Sequence, residues 1–420
     1  MLTRRRFTQL TAAAAVASTI RYPEALASGF IGHKNMEGVL TPEAGQPLIT
    51  AAEIAKLDSH RIFTAANNAL TQKPITITAY HSDRTKAGPH DYFSQSDYWW
   101  PNPDTKDGLP YIRKDGLSNP DNFNDHRLAL IRLSLLVPQL TAAWLITHNK
   151  KYAEHAAEHL RAWFITPATR MNPNLEYAQA VLGVSTGRGT GIIDTLHLVE
   201  VARAVRHLEK SPALSAADTA TIKQWFSDYT NWMIDSKNGK EEEIAKNNHG
   251  TCWVAQVASF AALTGNADAM ALCRKRYREN LLPDQLAPDG SFPLELARTK
   301  PYSYSLFDLD ILSVVCHIAS TSSDDLWHFH APNRDKYDTY QKAVDFYYAF
   351  ISDKSKWPFA KDVEYFDDLP NRQPSLLFAG IAYNQPKYIA LWKKLSPDPK
   401  TAEIIRNFPI RQPLLWITHV

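Results

Sequence analysis

The sequence predicts an all-α protein, an incomplete α/α toroid (barrel) of antiparallel helical hairpins with long lid loops. Three observations carry this. Beyond about residue 125, apolar residues recur at three- and four-residue spacing almost without interruption. Thr147-His148-Asn149-Lys150, Leu263-Thr264-Gly265-Asn266 and Ala382-Tyr383-Asn384-Gln385 look like tight joints. In each, Asn stands where a helix stops, because Asn tolerates the left-handed conformation, and a new helical pattern follows at once. A chain of hairpins this long closes into a ring more readily than into one bundle. The absence of a strict sequence period argues against a solenoid of identical repeats.

Residues 1–27 are expected to be an export signal. Thr3-Arg4-Arg5-Arg6-Phe7 precedes an apolar stretch from Leu10 to Ile20, and Ala25-Leu26-Ala27 supplies a cleavage site. The arginines followed by Phe7 match the twin-arginine type, which places the mature protein in the periplasm or outside the cell. Residues 28–420 are expected to form one domain, since no linker rich in Gly or Ser interrupts them. Pro74-Ile75-Thr76-Ile77-Thr78 is the one strand-like alternation. A long non-helical stretch follows, carrying Tyr80, Tyr92, Phe93, Tyr98, Trp99, Trp100 and Tyr111. Ordered loops of this length commonly form lids or binding surfaces. The helical patterns then run over His126–Leu145, Lys151–Phe164, Ile192–Leu208, Ala216–Ile234, Thr251–Leu263, Ala267–Leu282, Ser305–Ile318 and Tyr337–Ile351.

Composition narrows the function. Across 420 residues, 44% are hydrophobic and 21% charged, enough to bury a large core. Lys and Arg number 46 against 44 Asp and Glu; removing residues 1–27 leaves 42 against 43, a net charge of −1. Bulk attraction for nucleic acid is thereby excluded, and an anionic ligand must be met by local clustering. No uninterrupted run of 18 apolar residues suggests a membrane span. Cys252, Cys273 and Cys316 make neither a disulfide framework nor a CxxC site, and the histidines lack a metal-ligand spacing, so no metal and no cofactor is expected. The partner expected is an anionic polysaccharide, with the oligomeric state open.

Four constellations carry chemistry. Asn247-Asn248-His249-Gly250 opens a helix, where an amide and an imidazole offer donors and a base whose charge the helix dipole suppresses. The alternative is a capping Asn and a core His. Arg298, with a fork fit for a carboxylate, precedes Tyr304, a phenol able to give or take a proton. Asn172-Pro173-Asn174-Leu175 leads to Tyr177 and Gln179, then to Gly187-Arg188-Gly189, a glycine-rich turn suited to a carboxylate. Within Asp97-Tyr98-Trp99-Trp100-Pro101-Asn102-Pro103, one of the two tryptophans is expected to pack the loop and the other to stack on a sugar.

Together with His90-Asp91-Tyr92-Phe93, these segments resemble the alginate lyase superfamily over roughly residues 75–380. Asn-Asn-His is similar to polysaccharide lyase family 5; the lid segment and the six-residue interval from Arg298 to Tyr304 are similar to family 38. His249 is followed by Gly250-Thr251-Cys252, where family 5 has Ser and aromatics. The resemblance implies β-elimination on a polyuronate, most simply alginate, with glucuronan as the alternative. It implies Asn248, His249 and Arg298 around the substrate carboxylate and Tyr304 as acid and base. His249 would be the base for the opposite epimer, with Glu242 assisting it. It further implies Tyr177, Gln179, Arg188, Trp99, Trp100 and His90 along the sugar chain. Two rivals stand beside it. A glycoside hydrolase would need a carboxylate pair from Glu295, Asp308 and Asp310, and a non-catalytic sugar-binding protein would need no His–Tyr pair.

Overall fold

The helices of the inner row are buried nearly all round, and all but one of them are apolar on every face, a property that sets the architecture of the computed structural model. The structure describes residues 47–420 apart from 333–334 and 336–338, so the expected export signal lies outside the described residues. Helix α1 (Ala51–Ala69) leads, followed by four short strands, β1 (Phe93–Gln95), β2 (Trp99–Trp100), β3 (Ile112–Arg113) and β4 (Tyr177–Ala180). Helices α2 (Asp125–Thr147) and α3 (Lys150–Phe164) lie between β3 and β4. After β4 come α4 (Leu198–Leu208), α5 (Ala216–Asp235), α6 (Lys237–Glu243), α7 (Asn248–Thr264) and α8 (Ala267–Arg276). Two short helices, α9 (Leu282–Gln285) and α10 (Pro293–Leu296), precede α11 (Pro301–Ala319), and α12 (Tyr340–Ser352) follows. The chain closes with α13 (Pro374–Ala382), α14 (Pro386–Lys394), α15 (Ala402–Arg406) and α16 (Pro413–Ile417).

The row α2, α4, α7, α11 and α13 packs each member against the next. Amphipathic α3 and α5 cover it from outside, and α8 and α14 back α7 and α13. This is an α/α toroid. A helix with one apolar stripe can only cover a core, whereas one apolar all round must be enclosed. Helix α2 shows the rule at its limit. It is long and apolar enough to cross a membrane by composition, yet 78% of its most apolar window is buried within the protein.

The joints differ from expectation in one respect. Asn149 and Asn266 cap the following helices through their side chains, while the left-handed residues are His148 (φ 53°) and Gly265 (φ 75°). Only at the third joint does Asn384 itself take the left-handed conformation (φ 51°). An Asn oxygen that accepts an N–H at the next helix start offers more than a tolerated φ does. Other boundaries also move. Residues 74–78 form no strand: Ile77–Ala79 is a 3₁₀ turn begun by the Thr76 side chain. The pattern 192–208 is broken, with a 3₁₀ segment over Gly189–Thr195 before α4. The pattern from 267 continues past α8 as one π turn, Tyr277–Leu281. The start of the 337–351 pattern lies outside the described residues, and α1 was not anticipated at all.

Two small ribbons order the long loop. β1 pairs in parallel with β4, and β2 antiparallel with β3. At the far end of the chain, a strap over 408–418 closes against α4. Buried Glu200 accepts the backbone N–H groups of Arg411 and Gln412 at 2.9 and 2.8 Å and the Trp416 indole N–H at 3.1 Å. Glu200→Ala leaves three buried donors unpaired at about 1–3 kcal/mol each. The expected result is a loss of at least ~2 kcal/mol in denaturant unfolding, at unchanged helical content.

Candidate active site

One cleft of about 410 Å³ opens at an end of the inner row, where α7 and α11 begin. Asn248, His249, Arg298, Tyr304, Glu242, Gln179, Arg188 and Trp99 all line it. Tyr177, Trp100 and His90 do not. Tyr177 lies in β4, where its backbone pairs with Phe93 of β1. The Trp100 indole donates to the Leu117 carbonyl at 2.9 Å, under the Lys114 ammonium. His90 Nδ1 lies 2.7 Å from the Arg170 carbonyl. The tryptophan pair is thus divided: Trp100 anchors the loop, and Trp99 faces the cleft with the Arg188 guanidinium 5.8 Å from its ring.

Asn248 is the first residue of α7, not its cap, which is Asn247. Its backbone N–H donates to Glu295 Oε1 at 2.8 Å and its Nδ2 to Glu295 Oε2 at 2.7 Å. That grip fixes the amide plane and leaves the carbonyl and one N–H for a ligand. Next along the helix, His249 Nδ1 meets buried Glu242 Oε1 at 2.5 Å. Burial works against a charged imidazole, but the Glu242 charge and hydrogen bond outweigh it, and the His249 pKa is raised above 6.5. The expectation that the helix dipole suppresses this charge is therefore corrected. A carboxylate in contact exceeds the fraction of a charge at a helix end.

On the facing wall, the Arg298 guanidinium carbon lies 4.5 Å from the centroid of the Tyr304 ring. Tyr304 Oη is 2.8 Å from Tyr98 Oη. Burial, then the neighbouring Tyr98, push the Tyr304 phenol up, while Arg298 and Arg406 draw it down; the net direction is upward. Tyr304 thus rests as a neutral phenol. Gln179 is held with φ 48°, a conformation uncommon outside glycine, by Ser94 Oγ on its N–H (2.9 Å) and Asp194 on its Nε2 (3.0 Å). Arg188 then donates to the Gln179 carbonyl and to Ser96 Oγ. Gly187 permits the close approach behind them, since a Cβ there would lie 1.9 Å from the Glu176 carbonyl oxygen.

The site also uses residues to which the sequence assigned no role or a different one. Tyr98 stood within the aromatic motif, but nothing in its spacing ranked it above Trp99. Arg406 comes from short α15, and its Nη2 lies 3.4 Å from Tyr98 Oη. Glu295 was weighed as a hydrolytic acid and instead orients Asn248. Burial, then the Glu295 charge, push Asp308 well up, and burial holds Asp310 at about 8. Neither lines the cleft, so the three acids considered for hydrolysis present no flanking pair. Among the described residues, no group of three or more His, Cys, Asp or Glu side chains is placed to hold a metal ion.

The alginate lyase family model matches residues 76–357. The chain belongs to the alginate lyase family. Among solved structures, an alginate lyase from Bacteroides ovatus is 30% identical, with a TM-score of 0.74 over 89% of this chain and 99% of that one. Alginate lyase A1-III from Sphingomonas species A1 is 14% identical, with a TM-score of 0.49 over 80% of this chain and 88% of that one. No curated protein matches the chain at a significant level. The protein is a polysaccharide lyase on an α/α toroid, and the hydrolase and bare sugar-binding readings fall away.

The Glu242–His249 pair makes a direct prediction for this lyase. A raised histidine pKa contributes stability that is complete below the ordinary value of 6.5 and is lost as pH rises through the raised one. In Glu242→Gln the His249 imidazole, followed by NMR, is expected to titrate at lower pH, and that stability increment should vanish.

Proposed function

We propose that this lyase cleaves alginate by β-elimination, leaving 4,5-unsaturated uronate ends, and that Asn248, His249, Arg298 and Tyr304 carry the reaction. The observation behind this reading is their convergence. Two donors at the start of α7 and a guanidinium on the opposite wall share one cleft with a buried phenol. The C5 proton of a uronate lies next to a carboxylate and is too weakly acidic for an unaided side chain. Donors and positive charge around that carboxylate stabilise the enolate-like transition state. Asn248 supplies an amide N–H, His249 a raised pKa that favours the imidazolium, and Arg298 a guanidinium.

Proton balance assigns the remaining roles. When the C5 proton and the leaving oxygen share a face, Tyr304 first releases its phenol proton to solvent, and the resulting phenolate takes the C5 proton and returns it to O4. The C4–O bond breaks as the C4–C5 double bond forms. Arg298 and Arg406 favour that phenolate against burial. When the two lie on opposite faces, neutral His249 takes the C5 proton and the Tyr304 phenol protonates O4. Trp99, Gln179 and Arg188 hold the neighbouring sugars. We read residues 1–27 as a twin-arginine leader that delivers the folded enzyme to the periplasm. Three free cysteines, all buried, fit a chain folded before export.

The test is ultraviolet absorbance during incubation with polymannuronate, polyguluronate and glucuronan. Absorbance from the unsaturated uronate should rise fastest on one of the two alginate blocks; a preference for glucuronan would move the substrate. Tyr304→Phe should abolish the signal while thermal unfolding is unchanged, and near-normal turnover would remove Tyr304 from the mechanism. Arg298→Ala should cost about 3 kcal/mol of transition-state stabilisation in kcat/KM.

A further inference from the structure

Asp115 lies just after β3, in the loop that crosses the cleft, and it is the acid against which Arg298 is set. Arg298 donates Nη2–H to Asp115 Oδ1 at 3.0 Å and Nε–H to Oδ2 at 3.3 Å. The Thr299 hydroxyl donates to the same Oδ2 at 3.0 Å. Arg113, a second cleft guanidinium, donates to Oδ1 at 2.5 Å. Burial works against the carboxylate, but these donors and charges overcome it and hold Asp115 at about 2. The approach is built into the backbone. Gly116 has φ +76°, and a Cβ there would sit 2.4 Å from Thr299 Oγ1, so a side chain at 116 would push the loop off Arg298 and Thr299. On the loop's other side, the Lys114 N–H donates to the Tyr98 carbonyl at 2.7 Å.

We propose that Asp115 is a positioning residue of the elimination, which fixes the Arg298 guanidinium over Tyr304 and gathers Arg113 beside it. The proposal rests on the reading above that Arg298 meets the substrate carboxylate. Arg298 has five N–H donors and gives two to Asp115, so donors remain for a ligand in the cleft. Arg113, Asp115 and Arg298 together keep a charge of +1, so the arrangement still attracts a uronate. Asp115 itself does not line the cleft, which separates it from an internal stand-in for the substrate. Freed from Asp115, Arg298 regains the rotamers of a long flexible side chain, and the two guanidinium groups repel each other. Because Asp115 belongs to the loop, the carboxylate-binding wall is complete only with the loop seated.

The experiment is a double-mutant cycle on the full-length enzyme, reading kcat and KM on the alginate block it cleaves best. Asp115→Ala should lower kcat about 10- to 100-fold with a much smaller change in KM, as expected when a reacting group loses its orientation. Adding it to Arg298→Ala should cost nothing further, because both act through one guanidinium. Asp115→Asn keeps the shape of the loop and serves if the alanine variant does not fold. Unchanged kcat in a folded Asp115 variant would overturn the proposal, as would an equal loss in the Arg298→Ala background. A gain in affinity would overturn it too, by making Asp115 an occupant of the substrate's place. Full activity of Arg298→Ala alone would instead remove the underlying functional reading.

Discussion

A buried carboxylate held by two guanidinium groups ties the loop, the toroid and the end of the chain together. Asp97 accepts from Arg127 of α2 at 2.6 Å and from Arg406 of α15. Arg127 also lies 3.4 Å from Asp194, which binds Tyr92, Ser94 and Gln179. Arg406 passes to Glu403, and Glu403 to buried Lys300. Burial would penalise any of these charges alone, and removing one partner of such a pair typically costs ~3–5 kcal/mol. The loop therefore cannot leave Asp97 behind without stranding charge. The side chains of Tyr98 and Trp99 inherit their places from that constraint.

The same ladder resolves the electrostatic question raised by a net charge of only −1 over residues 28–420. Arg113, Arg127, Arg188, Arg298 and Arg406 line the cleft against Asp97, Asp194, Glu241 and Glu242. Asp97 and Asp194 are engaged with Arg127, Arg406 and the loop, and Glu242 with His249. The acids thus orient cations rather than cancel them at the surface a uronate meets. Orientation matters more than total charge here, since the stabilised charge develops at one carboxylate and one C5 carbon.

Much of the fold was legible because burial leaves a periodic trace. Helices α3, α5, α7 and α11 follow from spacing alone, and the toroid from their number and joints. What failed to show was of two kinds. Thr76 and the 189–195 segment turn on side-chain hydrogen bonds and close backbone approaches, which periodicity does not register. Within the site, Asn248, His249, Arg298 and Tyr304 stood in recognisable patterns, and Trp99 in half of one. Tyr98, Asp115, Glu295 and Arg406 act through partners distant in sequence, and a residue's partner across the fold leaves no local mark. His90, Tyr177 and Trp100 stand in the same motifs but lie off the cleft, His90 and Trp100 bonded to backbone carbonyls and Tyr177 in a paired strand.

The bond between Asp97 and Arg406 spans 309 positions of the chain. A ribosome delivers the loop, α2 and the α7 amide long before it delivers α15. Until that last segment arrives, Asp97 has one guanidinium instead of two and the Tyr98 hydroxyl lacks the Arg406 guanidinium beside it. Competence is therefore conferred at the end of synthesis rather than accumulated along it. A partly made or C-terminally clipped chain lacks Arg406, and with it one wall of the cleft. The order of translation thus becomes a form of quality control over when catalysis begins.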